Sequence, residues 1–277
     1  MARKVCQGSD RGESAAGVET LVLVDESALL SQREIGDLPL RVVPLGTAVS
    51  AERGARTSAV APGTYLEAMK AVLPRKEVKG VLVLTVAARL SATYQSALLA
   101  SGQARERLAD LRVEVVDSAT ATGGLALVAL AAARAAGALD EAAAAARAII
   151  PRIVTYGMVS DWMALRRGGR IPRVAAWAGG RLGVRPCFRM TAGVVRPWRL
   201  ARTKRQAVAA MQRGCAGLPG GALHAAVFHA GMPDAAEELA SGLAALGAVE
   251  LLTLAATDAV RAHTGDGMVG VGAYREP

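Results

Sequence analysis

Hydroxyl side chains cluster where the apolar run Val81–Val86 ends. The following segment, Arg89–Thr93, contributes Ser91 and Thr93, and Tyr94–Ala100 then carries apolar residues at helical spacing. A strand that leads through such a turn into a helix can bind an anion, because the first N–H groups of a helix lack internal partners and carry partial positive charge. The two hydroxyls would add donors for a carboxylate or a phosphate. Ser91 can equally be a simple helix cap, which is a common role for serine.

Polar pairs recur at three further places in the first half of the chain, after apolar runs or before a helix. Successive strand–loop–helix units predict a parallel sheet with helices on both faces, and ligands bind such sheets at the carboxyl ends of the strands. We therefore expect one polar site there, whereas Ser50–Arg56 is predicted to be a charged loop. The predicted strands are Thr20–Val24, Leu40–Leu45, Val81–Val86 and Val113–Val116; the polar pairs are Asp25/Ser27, Thr57/Ser58, Ser91/Thr93 and Asp117/Ser118.

His263 lies in a glycine-rich turn, His263–Gly267, where its ring would be accessible. Paired with Ser91 it would form a nucleophile and a base, so an acyl hydrolase is one open hypothesis. The G-x-S-x-G motif of many such enzymes is absent, as are a G-x-x-x-x-G-K-[ST] phosphate loop and metal-ligand spacings. The signal for a hydrolase is therefore weak, and we predict no metal and no cofactor.

The composition is that of a globular protein. Of 277 residues 52% are hydrophobic and 3% aromatic, and the net charge is +9. The three cysteines show no CxxC spacing, which fits a reducing cytoplasm, and the longest apolar run is too short to span a bilayer. We expect a cytoplasmic protein without stable membrane insertion.

The composition changes after Pro151. Arg152–Arg205 holds thirteen Lys or Arg residues and one acidic residue, Asp161, and Pro186–Ala201 reads as a hairpin. Such a basic segment leaves a nucleic-acid-binding regulatory module as a further alternative, but its few aromatic residues match no known module, so we expect no nucleic acid. The predicted organisation is a disordered tail (1–18), a parallel-sheet α/β domain (19–153) and a second, α+β domain with a mixed or antiparallel sheet (154–277).

Short motifs spread over both halves resemble, in order, those of the DegV family of bacterial fatty-acid-binding proteins. Some positions depart from the family pattern: Ala92 replaces glycine, Ala87 and Ala88 replace two serines, and Asp266 replaces proline. The matching motifs are Leu40–Leu45, Thr57-Ser58 before Pro62-Gly63, Leu90–Ala97 (LSATYQSA), Val116–Ser118 (VDS), Leu165–Ile171 (LRRGGRI), Arg202–Lys204 (RTK) and Ala262–Gly265 (AHTG).

The resemblance implies an α/β protein that holds one long-chain fatty acid in a tunnel between its two domains. It implies a carrier without enzymatic activity, which presents the acid to a separate fatty acid kinase for acyl-phosphate formation. The carboxylate would be bound by Thr57, Ser58, Ser91 and Thr93. The residues expected around the headgroup or at the partner contact are Arg170, His263, Thr264, Asp25, Ser27, Asp117 and Ser118.

Overall fold

The computed structural model describes residues 19–50, 54–72, 74–75, 77–108, 110–160 and 184–277. The predicted tail 1–18 and most of the basic segment around Arg170 lie outside these ranges. In chain order, the first part contains β1 (Thr20–Asp25), α1 (Gln32–Ile35), β2 (Leu40–Val43), β3 (Gly46–Ser50), β4 (Gly54–Ser58), α2 (Pro62–Lys70), β5 (Gly80–Thr85), α3 (Thr93–Arg107), β6 (Arg112–Asp117), α4 (Gly123–Arg134) and α5 (Leu139–Ile149).

The first sheet is parallel, with the strand order β2-β1-β5-β6, as predicted. Its central strands β1 and β5 are buried along their whole length. Helices α2 and α3 cover one face and α4 and α5 the other. A strand buried on both faces cannot alternate polar and apolar residues, which explains the continuous apolar runs of the sequence.

Two sequence-based predictions fail in this part. Ser50 and residues 54–56, predicted as part of a charged loop, instead lie in strands β3 and β4. These strands pair antiparallel from Gly46 opposite Ser58 to Ser50 opposite Gly54, because such pairing satisfies the backbone whatever the side chains. The alanine-rich composition of residues 131–150 predicts a single helix, but the chain is divided there between α4 and α5. The Ala138 N–H donates to Glu141 Oε2 (3.1 Å) where the second of these helices begins.

The second part of the chain builds a six-stranded mixed sheet with the order β11-β10-β12-β7-β8-β9, in which only β10 and β11 are parallel. The sheet type and the β8–β9 hairpin are as predicted, whereas β7 was not expected from the sequence. The elements are β7 (Val154–Val159), β8 (Arg185–Thr191), β9 (Val194–Ala201), α6 (Lys204–Ala216), β10 (Leu223–Ala230), α7 (Pro233–Ala245), β11 (Ala248–Ala255), α8 (Asp258–Thr264) and β12 (Met268–Arg275).

Helix α4 packs between the two sheets, and one apolar cluster runs through it from the first sheet to the second. Its first turn touches the second sheet backbone to backbone. A Cβ on Gly123 would lie 2.1 Å from the Ala226 carbonyl oxygen, and a Cβ on Gly272 of β12 would lie 2.1 Å from the Gly124 nitrogen. The second sheet can approach α4 this closely only because these residues lack side chains.

Candidate functional site

The site forms around the Ser91 turn, residues 86–92, which joins β5 to α3 at the carboxyl edge of the first sheet. Three successive N–H groups at its start are bound by the neighbouring strands and loops. Val86 N–H donates to Asp25 Oδ2 (2.6 Å), Ala87 N–H to the Thr120 carbonyl (2.8 Å) and Ala88 N–H to Asp117 Oδ1 (3.1 Å). The turn is thus held from β1 on one side and from β6 and its following loop on the other.

Ser91 and Thr93 form a hydroxyl pair at the start of α3. Their side-chain oxygens are 2.8 Å apart, and the Thr93 N–H donates to Ser91 Oγ (3.2 Å). The helix begins at Thr93 and the N-cap position, Ala92, offers no side-chain acceptor, so Ser91 caps the helix from one residue further out. Thr93 is fully buried and Ser91 is half-buried. Ser91 is therefore the hydroxyl that a ligand can reach, with Thr93 behind it.

Asp25 is completely buried at the end of β1. Burial raises the pKa of its carboxyl group, although hydrogen bonds from the Ser27 hydroxyl and from the backbone N–H groups of Val86 and Ser27 act in the opposite direction. Its Oδ1 accepts the Ser27 N–H (3.0 Å) and the Ser27 hydroxyl. The two residues predicted as one polar pair thus form a closed unit that supports the Ser91 turn.

Asp117 and Ser118 serve the loop between β6 and α4. Asp117 Oδ1 also accepts the Ala119 N–H (2.9 Å), and the buried Ser118 hydroxyl exchanges hydrogen bonds with the backbone of Thr120 (3.3 Å). Ala119 and Thr122 both have φ near 50°, a left-handed conformation that is unfavourable for residues other than glycine. The loop is held in a strained conformation by these side-chain contacts.

Two of the remaining predicted segments contact each other. Strand β4, which ends in Thr57 and Ser58, packs against α8, whose last residues are His263 and Thr264. The side chains of these four residues and all of Arg170 lie outside the described part of the structure. Thr57 and Ser58 were predicted in a loop, but they end a strand instead.

The second sheet also reaches the Ser91 turn through the tip of its β8–β9 hairpin. Ala192 and Gly193 turn the chain with φ values of 49° and 73°. A Cβ on Gly193 would lie 3.3 Å from the Ala87 Cβ and 3.5 Å from Arg89 Cδ, so the hairpin tip packs on the turn. The site is therefore bordered by both sheets.

Two buried polar groups near this edge were not predicted from the sequence. The hydroxyls of Tyr65 on α2 and Thr85 at the end of β5 are buried and find no hydrogen-bond partner among the described residues. Burial and the nearby Asp25 raise the pKa of Tyr65. Tyr65 lies on the apolar face of a helix and Thr85 lies in an apolar strand. The hydrophobic pattern therefore did not indicate that either hydroxyl is buried near a site.

Other parts of the molecule offer less for ligand chemistry. A cleft of about 380 Å³ lies at the opposite, amino-terminal end of the first sheet, lined among others by Leu21, Gly36 and Arg75. Within the described ranges, no cluster of three or more His, Cys, Asp or Glu side chains is placed to hold a metal ion. In the same ranges, no helix has both the length and the apolarity to cross a bilayer.

Comparison with known proteins places this architecture in one family. Residues 47–276 match the family model described as "Uncharacterised protein, DegV family". A DegV domain-containing protein of Streptomyces coelicolor is 34% identical over 233 residues, which cover 82% of this chain and 81% of the relative.

Solved structures agree with the sequence relatives. A DegV family protein from Corynebacterium glutamicum superposes with a TM-score of 0.83 at 25% identity, covering 94% of this chain and 99% of the other. A DegV family protein from Thermus thermophilus, described as fatty-acid binding, superposes with a TM-score of 0.81 at 26% identity over 93% and 99% of the two chains. The chain belongs to the DegV family.

Proposed function

We propose that this protein binds one long-chain fatty acid, with the carboxylate at the Ser91 turn and the acyl chain between the two sheets. The observation that carries the proposal is the half-buried Ser91 hydroxyl, paired with Thr93 at the start of α3. It supplies a donor beside a helix N-terminus, at an edge bordered by both sheets. The Thermus thermophilus relative, described as fatty-acid binding, supports the choice of ligand.

The headgroup needs donors, because a carboxylate transferred from water without hydrogen bonds is protonated instead. In this proposal Ser91 and Thr57 donate to the carboxylate, with Thr93 and Ser58 beside them. Arg170 and His263 complete the polar surroundings, with Thr264 next to the histidine. The helical N–H groups that follow Thr93 add positive potential.

The acyl chain would lie beside α4, against the apolar cluster that joins the two sheets. Val24 and Leu84 contribute from the first sheet, and Phe188, Met190 and Phe228 contribute from the second. Burying each CH₂ group is worth about 0.8 kcal/mol, so the chain rather than the headgroup would supply most of the affinity. In this proposal the boundary between the two domains lies between residues 153 and 154, so each domain supplies one wall of the tunnel that holds the acyl chain.

The protein would act as a carrier and leave chemistry to a separate kinase that forms the acyl phosphate. The β8–β9 hairpin and the start of α6 present a basic surface for such a partner. Arg196, Arg199 and Arg202 lie on it, and none has a carboxylate within salt-bridge distance among the described residues. Such a surface suits an acidic docking partner.

Native mass spectrometry with lipid extraction tests the proposal. The purified protein should carry a C14–C18 fatty acid or take one up after delipidation. Replacing Thr57 and Ser91 by alanine should cost about 1–3 kcal/mol of binding free energy for each lost partner. Thr203→Ala, which removes a hydroxyl from the start of α6, is the matched control and should bind as the wild type does. A ligand-free protein that takes up none of these acids would contradict the proposal.

A screen with chromogenic acyl esters distinguishes the carrier from an acyl hydrolase that uses Ser91 and His263. A carrier should show no turnover that depends on Ser91. Turnover abolished by both Ser91→Ala and His263→Ala would favour the hydrolase instead.

A further inference from the structure

We propose that Asp25 and Asp117 are positioning residues that hold the Ser91 hydroxyl in place for the ligand. The inference rests on the proposed function and extends it to two residues, of which Asp25 is too deeply buried to contact a ligand. Asp25 is fully buried, and its carboxylate is already bonded to Val86 and Ser27. Its role is therefore directed at the protein backbone.

The two carboxylates act from opposite sides of β5. Asp25 ends β1, and Asp117 ends β6 directly opposite Thr85. Each accepts one N–H of the chain as it leaves β5, at Val86 and Ala88, and the Thr120 carbonyl accepts the N–H between them. Consecutive N–H groups directed to three different acceptors fix the course of the backbone just before Ser91.

This arrangement also decides which donors remain for a ligand. With the N–H groups of residues 86–88 bonded inside the protein, the start of the turn cannot serve as a backbone anion site. The accessible donor is then the Ser91 hydroxyl, and its position depends on the turn. A carboxylate is well suited to this task because it is an acceptor with two oxygens and makes strong bonds to N–H groups.

The test compares Asp117→Asn and Asp117→Ala, because Asp117 is only partly buried and its loss is tolerated more easily than that of Asp25. Asparagine keeps the Oδ1 acceptor for the Ala88 and Ala119 N–H groups. We expect Asp117→Asn to bind palmitic acid within about twofold of the wild type and Asp117→Ala to bind about tenfold more weakly in isothermal titration. Asp140→Ala, which removes an exposed carboxylate paired with Arg112, should leave the affinity unchanged.

A double-mutant cycle separates positioning from a general loss of stability. If Asp117 acts through Ser91, adding Asp117→Ala to the Ser91→Ala variant should change palmitic acid affinity by less than about twofold. Additive effects would overturn the positioning role, as would unchanged affinity of Asp117→Ala.

Failure of the proposed function would look different, because wild-type protein would then not bind palmitic acid at all. In that case, the positioning role in binding also falls. Amide hydrogen exchange at Ala88 would still report the structural contact, since exchange should be faster in Asp117→Ala than in Asp117→Asn.

Discussion

The Ser91 turn and the first turn of α4 both lie between the two sheets, but they are held by different forces. The Ser91 turn is held by hydrogen bonds that its backbone N–H groups donate to Asp25, Asp117 and the Thr120 carbonyl. The start of α4 is held by close approach of backbone to backbone at Gly123 and Gly272. Polar contacts fix where the Ser91 hydroxyl lies, whereas the glycine contact fixes how closely the second sheet approaches α4.

The difference predicts how each region responds to change. Loss of one hydrogen bond to the Ser91 turn should have a local effect on that turn. A Cβ inserted into a backbone contact has no flexible neighbour to displace, so α4 and the second sheet must move apart. Substitutions in the first region should therefore change binding more than stability, and substitutions in the second should do the reverse.

The largest expected effect is that of Gly272→Ala. Its Cβ would lie 2.1 Å from the Gly124 nitrogen, and both atoms belong to rigid elements. We expect a loss of about 3 kcal/mol or more in the free energy of unfolding, measured by urea denaturation. Gly102→Ala on α3 is the matched control, because its Cβ meets nothing within 4 Å and should stabilise by about 0.5–1 kcal/mol. If the two substitutions changed the free energy of unfolding equally, the close backbone contact at α4 would not be what holds that region.

A second prediction concerns the pH dependence of stability through Asp25. Burial raises its pKa in the folded state from an ordinary value of 3.8, so the protonated form is favoured by folding. The stability it contributes is present below that value and is lost as the pH rises through the raised pKa. In Asp25→Asn this decline should disappear from unfolding curves measured between pH 4 and 8.

Glu250 provides the control of opposite sign. Burial raises the pKa of this carboxyl group, but hydrogen bonds from Arg134 and His224 outweigh burial and the pKa is lowered. The stability from Glu250 is therefore present above its ordinary value and is lost as the pH falls. Asp25→Asn and Glu250→Gln should therefore change the pH dependence of the free energy of unfolding in opposite directions. If both changed it in the same direction, the account of Asp25 as a buried carboxyl group would be wrong.

The smallest expected effect is at Thr203, which caps α6 by accepting the Gln206 N–H at 3.1 Å. Thr203→Ala should lower the free energy of unfolding by about 1 kcal/mol. Fatty acid affinity should not change, because this cap has no second role. Ser91→Ala removes a hydroxyl beside another helix start, and comparison of the two by thermal unfolding and ligand titration shows whether Ser91 does more than cap. If Thr203→Ala also weakened fatty acid binding, the loss in Ser91→Ala could not be assigned to contact with the ligand.

Much of the architecture follows from patterns that are local in the sequence. The apolar run at Val81–Val86 marks a central strand, and Thr203 marks the start of α6, because buried strands and helix caps leave signals within a few residues. The prediction of a loop at Ser50 and residues 54–56 was wrong because β3 and β4 are joined by backbone hydrogen bonds. Side-chain composition does not report such pairing.

The site shows the same limit at longer range. The polar pairs after β1, β5 and β6 were expected to share one edge, and the structure places them there. That Asp25 faces the Val86 N–H rather than a ligand depends on strand register between residues 61 positions apart, which no local pattern contains. The unpartnered hydroxyls of Tyr65 and Thr85 are hidden for a related reason, because each occupies a position that an apolar residue would fill equally well.

The position of β12 between β10 and β7 has a consequence for the order of assembly during synthesis. The first sheet uses strands between residues 20 and 117 and can pair as soon as these have left the ribosome. The second sheet remains in two pieces, β7–β8–β9 and β10–β11, until Met268–Arg275 arrives to join them. Until then, β7 and β10 each lack the partner strand that covers one of their edges, and unpaired strand edges are where chains associate wrongly.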